Sequence, residues 1–146
     1  MYDVQVTVDS ADPHGMARWW ADMLGWTKEP SNEAFIRQMV EQGHASDDDT
    51  ATFEGALVWK SGAAVVRPDG LSPRLLFQLV PEPKTVKNRV HLDIRIGTDD
   101  VDELVERLVE RGASVLHHGQ QGPVNTWITV ADPEGNEFCV SQSPPG

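Results

Sequence analysis

Apolar and polar positions change period at regular places along this chain. From Tyr2 to Asp9, Val4, Val6 and Val8 alternate with Asp3, Gln5, Thr7 and Asp9, the period-two pattern of a strand with one buried face. Asp12-Pro13 reads as a helix N-cap followed by proline at the first helical position. Met16, Ala17, Trp20, Met23 and Leu24 recur at helical spacing, and Gly25 supplies the stop.

The same order returns in the second half. Val90, Leu92, Ile94 and Ile96 alternate with His91, Asp93 and Arg95. Asp99-Asp100 can cap a helix whose stripe is Val101, Leu104, Val105, Leu108 and Val109, with Gly112 as its stop. Strand followed by helix, repeated at an offset of about 87 or 88 residues, predicts an internal duplication. Three strand-like segments follow each helix: Ala56–Lys60, Ala63–Arg67 and Arg74–Val80 first, then Ser114–His117, Thr126–Ala131 and Glu137–Ser141. Pro68-Asp69-Gly70 and Asp132-Pro133-Glu134-Gly135 supply turns between the last two of each set. Each half reads βαβββ, which predicts an α+β fold of two modules, 1–80 and 88–143. The proline-stiffened segment 81–87 joins them.

One stretch breaks the symmetry. Glu33–Gln42 carries Phe35, Ile36, Met39 and Val40 at helical spacing and predicts an extra helix that could wall or cover a binding site. Asp47-Asp48-Asp49 beyond it lacks the glycine and terminal glutamate of a calcium loop and reads as a solvated turn.

Composition narrows the function classes. The 146 residues carry a formal charge of −11, shared by both halves. This argues against a nucleic-acid or anionic-membrane partner and favours cationic ligands. The single cysteine, Cys139, cannot form an internal disulfide, and Met1-Tyr2-Asp3 lacks the basic start of a targeting segment, so a cytoplasmic location is expected. No glycine-rich phosphate loop, G-x-S-x-G elbow or Cys-x-x-Cys pair is present. Five tryptophans against one tyrosine suggest a stacking surface, with Trp59 and Trp127 on predicted strands of the two sheets.

The duplicated βαβββ plan resembles the vicinal oxygen chelate superfamily. So do the Asp12-Pro13-His14-Gly15-Met16 start, the Asp132-Pro133-Glu134-Gly135-Asn136 turn and the stretch from Val80 to Asp93. Within that superfamily the likeness is to glyoxalase-like and bleomycin-resistance-like bacterial proteins. It implies two concave sheets paired around a cleft, within one chain or across a homodimer, the sequence leaving both arrangements open. It also implies metal-ligand positions at Gln5, Gln78, His91 and Cys139, with Asp3 an alternative to Gln5. The cleft set is then Gln5, Thr7, Trp59, Gln78, His91, Asp93, Trp127, Glu137 and Cys139.

The donor chemistry weighs against a metal in the usual manner. Metal-using members keep two glutamates where this chain has Gln78 and Cys139. Divalent ions bound through oxygen need anionic ligands to offset their dehydration. Cys139 reads equally as a small buried hydrophobe, and Gln5 and Gln78 as groups that satisfy polar neighbours. A Cys139–His91 nucleophilic pair lacks a recognisable third group. The leading expectation is a small-molecule-binding protein with no cofactor. The alternative is a divalent-metal lyase or oxygenase acting on vicinal oxygens.

Overall fold

The computed structural model describes residues 1–143. The chain divides into two compact units, Met1–Pro83 and Lys84–Gly146. No helix among the described residues is long and apolar enough to cross a membrane.

In the first unit, β1 (Gln5–Ser10) leads to α1 (Pro13–Leu24) and the two-residue β2 (Thr27–Lys28). Next come α2 (Glu33–Glu41), β3 (Thr50–Phe53), β4 (Ala56–Trp59), β5 (Gly62–Val66) and β6 (Arg74–Leu79). Asp12 caps α1 through the Gly15 amide, and Gly25 ends it at φ 67°. The four-stranded sheet runs β1-β6-β5-β2, with β1 and β6 parallel. Val6 and Val8 pair with Leu75 and Phe77 on the face toward α1. Met16, Ala17, Trp20, Leu75, Phe77 and Val65 are buried there. The buried stripe of α1 is wider than its sequence spacing predicts and takes in Trp19 and Ala21.

The sequence reading of this half needs a correction. Ala56–Lys60 is not a strand of the main sheet. β4 pairs only with β3 as a separate hairpin, and the short β2 takes the vacant place beside β5. The hairpin turn is Glu54-Gly55, with φ of 49° and 79°. Positive φ at both central residues matches the twist of a two-residue hairpin, which is why Gly55 stands there. The insertion therefore comprises α2 and this hairpin, with Ile36 and Val58 buried. Glu33 accepts a hydrogen bond from the Leu57 amide at 2.7 Å.

The insertion is anchored to α1. His14 Nε2 lies 2.8 Å from the Trp59 carbonyl, and the Arg18 guanidinium donates to Glu54 at 2.9 Å. It thus stands on the helix side, opposite the face that carries Gln5 and Thr7.

The second unit repeats the plan with β7 (Leu92–Arg95), α3 (Val101–Glu110), β8 (Ser114–Gln121), β9 (Asn125–Ala131) and β10 (Glu137–Ser141). Its sheet runs β7-β10-β9-β8, again with first and last strands as parallel neighbours. Asp100 caps α3 through the Glu103 amide, 88 positions after Asp12. Val105 and Leu108 pack over Ile128, Val130, Phe138 and Val140, all buried. Strand β7 is shorter than the alternation suggests. Its ladder to β10 begins at Leu92, leaving His91 just before the strand and Val90 79% exposed. Strand β8 is longer than expected, with a bulge between Val115 and His117.

Candidate functional site

The chemistry-bearing face of each sheet is the one turned away from its helix. In the first unit this face carries Gln5, Thr7 and Asp9 of β1 beside Arg74, Leu76 and Gln78 of β6. The register sets Gln5 opposite Arg74 and Asp9 opposite Gln78. Gln5 and Gln78 thus stand four residues apart along the ladder, about 13 Å at a rise of about 3.3 Å per residue. Gln5 is also occupied. Its Oε1 accepts from Arg74 at 2.6 Å, while Arg74 grips Glu29 through two bonds of 2.8 and 2.7 Å. Hydrogen bonding from Arg74 holds the Glu29 carboxyl below its ordinary range despite partial burial. Asp3 lies before β1 and bonds the Val4 amide and Ser72. Trp59 is on the hairpin, not on a sheet face, which corrects its placement as a wall of the first sheet.

The second unit brings its residues closer together. Cys139 of β10 lies opposite Asp93 of β7 and opposite Thr129 of β9, and Thr129 is opposite His117 of β8. This is one row of side chains across four strands. Cys139 Sγ is 3.5 Å from Thr129 Oγ1, and His91 Nε2 is 3.3 Å from Asp93 Oδ1. One donor atom from each of His91, Asp93 and Cys139 lies within 4.8 Å of the others. The sequence placed all three in a binding set without naming Asp93 among the metal-ligand positions. The signal for its true neighbour was the i, i+2 spacing of His91 and Asp93, which puts both on one face of an extended chain.

Glu137 does not join this cluster. The Lys84 ammonium lies 2.9 Å from it, and its other oxygen accepts from the Asn88 amide at 3.2 Å. Burial pushes its carboxyl upward, but the bonds from Lys84 and backbone amides outweigh that and leave it lowered. A carboxylate so engaged is a poor free ligand.

Trp127 shares the face of Thr129 and pairs with Gly119. A Cβ built on Gly119 would come within 2.0 Å of the indole, so the missing side chain is what lets the ring lie across β8. On the other side of this hairpin, toward α3, is a pocket of about 310 Å³ lined by residues that include Val101, Asp102, His118, Gln120 and Ile128. His91, Asp93 and Cys139 do not line it.

Imidazole, carboxylate and thiol donors converging in one unit fit a borderline-soft ion such as zinc, with three protein ligands and an open position. They fit a hard, oxygen-bound ion poorly. This is a partial metal-binding triad, and it differs from the four expected positions by including Asp93.

Comparison with known proteins agrees with the architecture. A family model described as a glyoxalase-like domain matches residues 5–141. The chain belongs to this family, and its fold is that of the vicinal oxygen chelate superfamily. No curated protein matches the sequence. Among solved structures, it is similar to the fosfomycin resistance protein FosX from Listeria monocytogenes, with TM-score 0.64 and 12% identity over 99% of this chain and 94% of that one. It is also similar to a possible glyoxalase from Bacillus cereus, with TM-score 0.60 and 16% identity over 96% and 97% of the two chains. The oxidase ChaP-H2 aligns with TM-score 0.58 and 19% identity over 100% and 96%. At these identities the likeness speaks for the fold.

Proposed function

We propose that this protein is a small-molecule-binding member of the glyoxalase-like family that works without the standard metal quartet. The observation that carries this reading is the state of the first unit's two amide positions. Gln5 is committed to Arg74, and Gln78 stands four residues further along the ladder. Two neutral amides so separated do not form half of a metal cage. The second unit's face offers a ligand polar contacts from Asp93, Thr129 and Cys139 on one row, with Trp127 alongside. Such a mixture of an aromatic surface and a few directed polar groups is what small-molecule sites use. Calorimetric titration of chelator-treated protein with a panel of small organic molecules tests the reading. Saturable binding unchanged by added metal supports it, and binding that appears only on metal addition overturns it.

A second reading is a divalent-metal lyase or oxygenase, favoured by the convergence of His91, Asp93 and Cys139. These three residues would hold the ion. When bound, it would act as a Lewis acid on neighbouring substrate oxygens. One equivalent of cobalt giving a thiolate charge-transfer band, lost in both Cys139→Ser and His91→Ala, would favour this reading over the first.

A further inference from the structure

We propose that the face of the Trp127 indole turned away from the sheet is a stacking platform for a planar aromatic molecule. The inference rests on the reading of the protein as a small-molecule binder and names a seat and a ligand class for it. Trp127 stands on the face of the second unit's sheet opposite to α3, paired with Gly119 of β8 and two residues from Thr129. The attitude of its ring follows from what a side chain at Gly119 would meet. A Cβ there would lie 2.0 Å from Cε2 of the indole and 2.3 Å from each of the bonded neighbours, Cζ2 and Nε1. A ring met at its edge would bring those two flanking atoms nearer than the central one. The ring is therefore met on its face. Strand side chains stand roughly perpendicular to their sheet, so the indole lies flat over the β8 backbone. One face rests on Gly119, and the other points away from the sheet.

Two features suit this surface to a flat ring. The indole is held in place beforehand, because Gly119 leaves the space it occupies, and Gly119 is buried beneath it while Trp127 stays half-buried. A ligand therefore loses little to ordering the ring, and offset stacking of a second ring adds to the apolar area covered. The charges on this face balance, so flatness and not charge makes the selection. Asp93 and Arg95 stand two residues apart on β7, and Glu137 is bound to Lys84. His117, Gln121 and Thr129 share the face around the ring and offer hydrogen bonds to a ligand's rim. Asp93 and Cys139 stand on the row of Thr129, one row over from Trp127. A ring on the indole needs no metal there.

The test compares 2-naphthol with trans-decahydro-2-naphthol, which keeps the hydroxyl and the carbon skeleton but has no flat π face, in calorimetric titrations of the full chain. The naphthol should bind with one-site stoichiometry and more tightly than its saturated counterpart by about twofold to twelvefold. It should also move the ring-proton resonances of Trp127 upfield, as a stacked ring does. Those resonances are assigned in the native protein by their nuclear Overhauser contacts with the Gly119 α-protons, so this arm needs no variant. Trp127→Leu keeps an apolar side chain and should remove the preference for the flat probe. Equal affinity of the native protein for the two probes overturns the proposal, as does naphthol binding that leaves the Trp127 resonances in place. Failure of the naphthol while another small molecule saturates the protein refutes this platform and leaves the binder reading standing. If no small molecule binds at all, both fall.

Discussion

Lys84 Nζ lies 2.9 Å from Glu137 Oε1, with only 22% and 12% of the two side chains exposed. The pair ties the segment after Pro83 to the first residue of β10. A carboxylate lowered in the folded state contributes stability above its unfolded pKa, near 4.5, and loses it as pH falls through the folded value. Urea midpoints should therefore fall between pH 6 and pH 3, less steeply in Glu137→Gln. Lys84→Met leaves the carboxylate short of a partner and should cost about 1–3 kcal/mol at pH 7. Equal pH slopes for native protein and Glu137→Gln would remove the pair from the account.

Gly119 makes a second, steric prediction. With an alanine Cβ placed 2.0 Å from the indole, either the ring or strand β8 has to move. Gly119→Ala should cost about 1–3 kcal/mol and change the near-ultraviolet circular dichroism of the folded protein. An unchanged spectrum at unchanged stability would mean that the indole does not need this space.

Asp132 explains why the β9–β10 turn has the residues it does. The side chain is 3% exposed, and it accepts from the amides of Glu134 at 3.0 Å and Asn136 at 2.9 Å. Asp132→Ala should cost about 1–3 kcal/mol, because two part-buried amides lose a charged acceptor. Asp132→Asn, which keeps one acceptor oxygen, should cost less. Thermal melts of the two variants give the ordering.

Much of this could be read in advance, and the failures have physical causes. Both modules, their helices, both N-caps and the Asp132-to-Gly135 turn follow from period and capping chemistry, which are local. Strand β2 was missed because Thr27 and Lys28 are too few to show a period. Ala56–Trp59 does alternate, but alternation cannot name a partner strand. The Glu54-Gly55 turn was the available clue that it pairs with Thr50–Phe53. The candidate site failed in the same way. The resemblance put His91, Asp93 and Cys139 in one cleft set, and their donor atoms lie within 4.8 Å of one another. The position of Gln5 relative to Gln78 depends on ladder register between strands over sixty residues apart in sequence, which no local pattern encodes.

His14 carries the last prediction. Its Nε2 lies 2.8 Å from the Trp59 carbonyl and its ring meets Phe53 at a centroid distance of 5.4 Å. The carbonyl can only accept, so Nε2 bears the hydrogen in this contact. Nδ1 is buried and has no partner, so the ring can be replaced without breaking a second bond. His14→Ala removes both the donor and the ring that join α1 to the hairpin. The insertion, held also by Arg18 and Glu54 at the surface, by Ser31 on the Leu57 carbonyl, by Lys28 over Phe53 and by its own small core, should open more readily while the main sheet stays folded. Limited proteolysis should then cut between Gly43 and Gly55 at least about fivefold faster, since cleavage follows the population of the opened form. Little change should appear in the overall thermal transition. An equal cutting rate in native protein and variant would show that Arg18 and the Ile36–Val58 contacts hold the insertion without His14.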